Sequence, residues 1–140
     1  MRSFVGLFFL LISFSSCENK PYSGLCEQSI LESSSDFDNG PFDPTTTINS
    51  VSWNGECLDI SYTYSGGCEE HELSVITNGA IIKTDPPIAE LIIKHNNTDQ
   101  CEALITEVIS YDLGENYFLN DEDVIILKFV NPEFSFTLEK

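Results

Sequence analysis

Positive charge is what this sequence has least of: six Lys and Arg stand against 23 Asp and Glu, for a formal net charge of -17 over 140 residues. Phosphate recognition needs clustered Lys and Arg, so the imbalance argues against nucleic acid as a partner and against electrostatic docking onto anionic lipid. An acidic coat keeps a chain soluble and attracts basic partners without naming one. The local patterns of common catalytic sites are also missing: there is no Gly-x-Ser-x-Gly, no His-Glu-x-x-His and no phosphate-binding glycine loop. Carboxylates are so numerous that no pair among them stands out as acid and base. Long apolar runs are lacking too, since Phe4 to Phe14 is the longest and is too short to cross a bilayer. The length accommodates one domain of ordinary size.

The amino terminus carries an address. Met1-Arg2 followed by the apolar run Phe4 to Phe14 has the cationic start and greasy centre of a secretory signal, which predicts a removable segment over residues 1–16. The next residues, Phe14-Ser15-Ser16-Cys17, resemble the lipobox of bacterial lipoproteins, with Phe14 standing where that family usually has Leu. In that family the peptidase cuts before the cysteine and its sulfur takes a diacylglycerol. The resemblance implies lipidation at Cys17, palmitate-type acyl chains as the membrane anchor, and a place in the bacterial cell envelope. The alternatives are an ordinary secreted protein cut nearby, or Cys17 as one more disulfide partner. Residues 17–46 are rich in Ser, Pro, Gly, Asn and Asp with little periodicity, which predicts a lipidated cysteine followed by a tether. Within them Asp36-Phe37-Asp38-Asn39-Gly40 has the alternate carboxylates of a calcium loop. The twelfth position falls on Thr47 instead of a bidentate Glu, so an acidic turn is the commoner reading.

From residue 47 to 140 the pattern is of short strands. Ile48 to Trp53 and Glu56 to Tyr64 flank Asn54-Gly55, a strong hairpin signal because both residues tolerate positive φ. A two-residue loop would pair Trp53 with Glu56 and Val51 with Leu58, placing Leu58, Ile60, Tyr62 and Tyr64 on one face and Cys57 on the other. His71 to Thr77 and Ala89 to His95 read as antiparallel neighbours, pairing Leu73 with Ile93 and His71 with His95. Ala103 to Leu113, Val124 to Val130 and Phe134 to Leu138 follow, with Val124 to Leu127 apolar on both faces as in a central strand. About seven short strands with few helical periods predict an all-β fold, an antiparallel β-sandwich of immunoglobulin-like type, with a small barrel as the alternative.

With Cys17 acylated, four cysteines remain in an oxidising compartment, and an even number in a small exported domain points to a disulfide framework. The expected strand pairing brings Cys68 and Cys101 together, which leaves Cys26 for Cys57; the other connectivities stay open. The sharper alternative is zinc, because Cys68-x-x-His71 and His95-x5-Cys101 would supply two thiolates and two imidazoles. A weaker set of His71, His95 and Asp99 beside an intact disulfide is a further possibility. For the imidazoles alone, a hydrogen bond to a loop at the rim of the core is the commoner role.

The Ser-Gly-Gly-Cys68-x-x-His71 segment, with a later His95 and Cys101-Glu102-Ala103 leading to Tyr111-Asp112-Leu113, resembles small, functionally uncharacterised lipoproteins of Bacteroidota. The resemblance covers residues 62–113, supports an envelope location, and implies no catalytic residue. The resulting expectation is a lipid-anchored, non-enzymatic binding or structural module without a cofactor. The alternatives are a metal protein using His71 and His95, or an inhibitor or scavenger of a cationic protein.

Overall fold

In the computed structural model, residues 25–114 and 123–139 are described; the signal segment, Cys17 and the first part of the tether lie outside them. Alternation of apolar and polar residues builds nine strands among the described residues. They are β1 (Gln28–Ser29), β2 (Leu31–Glu32), β3 (Thr47–Trp53), β4 (Leu58–Gly66), β5 (Leu73–Ile82), β6 (Ile88–His95), β7 (Ala103–Asp112), β8 (Val124–Asn131) and β9 (Glu133–Glu139). One short helix, α1 (Ser34–Asn39), is capped by the Ser33 hydroxyl, which accepts from the Asp36 amide. The strands form two sheets, in the orders β1-β7-β4-β3 and β2-β5-β6-β8-β9.

Strict alternation along β4 turns Leu58, Ile60, Tyr62 and Tyr64 inward, where they meet Leu73 and Val75 of β5, Leu91 and Ile93 of β6, and Leu127 and Phe129 of β8. Tyr111 of β7 is fully buried and its hydroxyl donates to the Leu73 carbonyl at 3.2 Å, tying the two sheets together. β8, apolar on both faces, lies between β6 and β9. The fold is the all-β sandwich that the sequence pattern predicts, with differences in detail.

The sheets are mixed. β1 runs parallel to β7, β2 to β5, and β6 to β8. A parallel neighbour requires a crossover, and for β6 and β8 that crossover is β7, built into the opposite sheet. Part of the expected tether is structure. Gln28–Ser29 adds to one sheet and Leu31–Glu32 to the other, with Ile30 between them packed against the core, so this segment staples the two sheets along one edge. Asp36 to Asn39, the calcium-loop candidate, is helical and lies against β5 and β6.

Both expected registers slip by two residues. Trp53 pairs with Leu58 and Val51 with Ile60, because Asn54 closes a longer loop: its side-chain oxygen accepts from the amides of Glu56 at 3.0 Å and Cys57 at 2.8 Å. Leu73 pairs with His95, and Val75 with Ile93, so His71 precedes its strand. A slip of two preserves the pleat, and every inward residue stays inward.

Candidate functional site

β4 ends at Gly66, β5 starts at Leu73, β6 ends at His95 and β7 starts at Ala103, so two crossover loops, 67–72 and 96–102, run side by side at one pole. A disulfide joins them, Cys68 to Cys101, with Cα atoms 5.8 Å apart. The second disulfide, Cys26 to Cys57, anchors the amino-terminal segment at the opposite end of β4. Both bridges are the ones the strand arithmetic favours.

Beneath the polar disulfide lies a chain of buried polar side chains. Thr46 Oγ1 is 2.7 Å from His95 Nδ1, His95 Nε2 is 3.0 Å from His71 Nδ1, and His71 Nε2 is 3.2 Å from Asp99 Oδ2. The side chains of His71, Asp99 and His95 are 5%, 1% and 0% exposed. The ring of Tyr64 packs on both imidazoles, with centroids 4.8 Å and 5.1 Å away. Asp99 is cradled by backbone: its Oδ2 accepts from the amides of Cys68 at 2.8 Å and Glu69 at 3.0 Å, and its Oδ1 from Cys101 at 2.8 Å. Those donors, Cys101 foremost, hold its carboxyl far below the usual range.

With both imidazoles neutral, His71 donates from Nε2 to the ionised Asp99 and accepts at Nδ1, while His95 donates from Nε2 and accepts from the Thr46 hydroxyl at Nδ1. Each ring nitrogen is satisfied with both histidines neutral. Burial pushes the His95 pKa down, and nearby His71 adds to the effect, while Asp43, 3.7 Å from Nδ1, opposes it. Asp43 is itself held below the usual range: burial pushes it up, but hydrogen bonds from Thr45 and Asn97 outweigh that. Asn97 completes the pole by donating to Asp43 at 2.7 Å and to the Ser65 carbonyl at 2.8 Å.

Gly66 makes the arrangement possible. A Cβ there would collide with His71 Nε2, lie 2.9 Å from His71 Cε1 and come within 3.2 Å of Asp99 Oδ2. The glycine is required by space.

The structure brings together His71, His95, Asp99, Cys68 and Cys101, as the sequence predicts. It corrects the zinc alternative, since both sulfurs of the four-ligand set are bonded to each other. In the His71, His95 and Asp99 set the imidazole nitrogens point at one another, at Thr46 and at Asp99. Among the described residues the one cluster of metal-ligand atoms within 4.8 Å is Cys68, Asp99 and Cys101, and it contains that disulfide. Sequence reasoning missed Asp43, Thr46, Tyr64, Gly66 and Asn97 as members of the pole. For Asp43-Pro44-Thr45-Thr46 the signal was there, because Asp followed by Pro and Thr is turn chemistry that aims side-chain oxygens at nearby amides.

Thr46, His95, His71 and Asp99 line up a hydroxyl, two imidazoles and a carboxylate, and Thr46 is 1% exposed, so that hydroxyl lies inside the fold. What solvent does reach is the outer side of the pole. A groove of about 400 Å³ is lined by Tyr64, Gly67, Glu69, Glu70, His71, Ile105 and Glu107. Burial, followed by the neighbouring Glu107 carboxylate, pushes the Tyr64 phenol up to about 12. The groove can hold a cationic group over an aromatic and aliphatic floor.

No family model matches this chain, and no curated protein does. Solved structures do. A protein of unknown function, DUF1344, from Bacteroides vulgatus aligns with TM-score 0.58 and 15% identity over 81% of this chain and 56% of its own. A putative toxin-related protein from Parabacteroides distasonis aligns with TM-score 0.57 and 18% identity over 81% and 59%. A NigD-like immunity protein from Bacteroides caccae aligns with TM-score 0.53 and 15% identity over 84% and 60%. The present chain spans under two thirds of the length of each, and at such identities the likeness is one of fold, shared with proteins from the bacterial group that the sequence resembles.

Proposed function

We propose that this chain is a lipid-anchored, non-enzymatic binding module of the bacterial envelope that masks a basic protein, in the manner of an immunity protein. The observation that carries the proposal is the division of the pole into two parts. Every imidazole nitrogen and the Asp99 carboxylate are engaged inside the fold, while Glu69, Glu70 and Glu107 face solvent around the groove. No described Lys or Arg bonds to those three glutamates; Lys94 pairs with Asp36 and Lys128 with Glu90. The net charge of -17 extends the same attraction over the whole surface. A toxin-related protein and an immunity protein among the fold neighbours support a protein partner.

The anchor rests on the lipobox-like residues before Cys17. Radiolabelled palmitate should appear on the wild type and vanish in Cys17→Ala, and equal labelling of the two refutes anchoring. For the partner, immobilised protein should retain cationic proteins from envelope extract at low salt and release them as ionic strength rises past about 0.2 M. Glu69→Gln/Glu70→Gln/Glu107→Gln should retain fewer. If the triple variant retains as much as the wild type, the groove is not the binding surface.

A further inference from the structure

The outer edge of β7 is open along most of its length. From Ala103 to Tyr111 this strand pairs with β4 without a break, Gly66 opposite Ala103 and Leu58 opposite Tyr111. On its other side β1 covers only Tyr111 and Asp112. The direction of each backbone group follows from two bonds: Ile30 donates to the Asp112 carbonyl, and the Ser110 amide donates to Glu27 Oε2 at 3.3 Å. Even-numbered residues of β7 therefore turn their amides and carbonyls away from β4. Glu27 closes one end. Leu104, Thr106 and Val108 are left presenting three donors and three acceptors to which no described residue bonds. Leu104 and Val108 are 77% and 60% exposed, so the edge is bare as well as unpaired.

Elsewhere β5 is partly covered by β2 and α1, β3 carries a register shift between Ile48 and Ser50 that breaks its edge pattern, and β9 forms the far margin of the five-stranded sheet. The β7 edge also has the acidic groove beside it, since Ile105 and Glu107 alternate with the open-edge residues and face Glu69, Glu70 and Tyr64.

We infer that the open edge of β7 receives an extended, lysine- or arginine-bearing segment of a protein partner by strand addition, with its cationic side chains set among Glu69, Glu70 and Glu107. This rests on the reading above that the partner is basic. Backbone bonds to Leu104, Thr106 and Val108 supply the register, and the alternating side chains of the added strand supply the choice of partner. A second copy of this chain is the poorer occupant, because two surfaces of charge -17 repel.

The probe is a capped peptide of about eight residues alternating Lys with Val or Thr. Bound to the protein, it should shift the amide resonances of Leu104, Thr106 and Val108, and its affinity should fall as salt is added. N-methylation of alternate amides keeps its charge and removes the donors, and should weaken binding roughly tenfold or more. Val108→Pro should weaken it similarly. The Val108 amide faces the open edge, so proline there removes no bond to β4 and the melting temperature should move little. Should that variant not fold, the N-methylated peptide on the wild type still decides the matter. Failure of the parent peptide to bind, equal binding of the N-methylated peptide, or shifts mapping away from β7 overturns the inference. So does a homodimer that Val108→Pro dissolves. Retention of cationic proteins alongside any of these results leaves the basic-partner reading standing, whereas loss of that retention counts against the reading itself.

Discussion

Adding one methyl group at Gly66 tests the buried pole most directly. The backbone there has the ordinary φ of a strand, so alanine meets no conformational penalty and should gain about 0.5–1 kcal/mol from reduced freedom of the unfolded chain. The obstacle is steric: the new Cβ would overlap His71, which cannot withdraw because it is held by His95 on one nitrogen, by Asp99 on the other, and by Tyr64 across its ring. Overpacking of a fixed neighbour costs about 1–3 kcal/mol, and displacing the ring loses the His71 to His95 hydrogen bond, worth about 1 kcal/mol. Net of that gain, Gly66→Ala should therefore lose about 1–3.5 kcal/mol in urea unfolding, or roughly 4–14 °C in melting temperature for a domain of this size. The decisive comparison is the double-mutant cycle. In a His71→Ala background the space is empty, and Gly66→Ala should be neutral or stabilising, so nearly the whole loss appears as coupling between the two positions. Equal losses in both backgrounds, or a loss below about 1 kcal/mol in the wild type, would refute the packing assigned to His71.

Two further outcomes follow from the same network. Burial lowers the pKa of His95, so the unfolded chain binds its proton first; stability present above about pH 6.5 should fall as pH drops through that value, and again through the carboxylate range where Asp43 and Asp99 are held low. Urea midpoints should fall more for the wild type than for His95→Gln between pH about 7 and 5, and parallel profiles would show that His95 is not the group responsible. The Cys26–Cys57 bridge spans 31 residues and secures the segment that staples both sheets, so Cys26→Ser/Cys57→Ser should lower stability by roughly 3–4 kcal/mol and expose β1 and β2 to amide exchange. Unchanged protection at Ile30 and Ser33 would show that the staple holds without the bridge.

Much of this architecture was legible because a strand advertises itself at period two. Leu58, Ile60, Tyr62 and Tyr64 announce the inner face of β4, and the double-sided run from Val124 to Leu127 announces a strand with neighbours on both sides. The partnership of Cys68 with Cys101 survives a register error of two residues because parity, not exact pairing, decides which side chains share a face. Sheet order is another matter. That β6 and β8 lie parallel depends on the chain crossing to the other sheet as β7, and no local residue pattern encodes a crossover. β1 and β2 escape notice because two residues are too few to show a period, and they sit in a stretch whose Ser, Pro and Asp content imitates a linker. The same composition conceals Asp43 and Thr46, buried polar residues whose partners, His95 and Asn97, lie some fifty positions away.

The two halves of the pole follow from opposite responses to one composition. The carboxylates that this chain withdraws from water must be matched by donors. Asp99 and Asp43 are matched, by backbone amides in one case and by Thr45 and Asn97 in the other, and the histidines between them fill the remaining hydrogen bonds without needing a charge. Glu69, Glu70 and Glu107 are exposed, and no described Lys or Arg pairs with them. Rigidity and attraction are thus carried by different side chains. Substitutions on the rim should change recognition with little effect on stability, because the disulfide and the Asp99 cradle hold loops 67–72 and 96–102 in place whatever the rim carries.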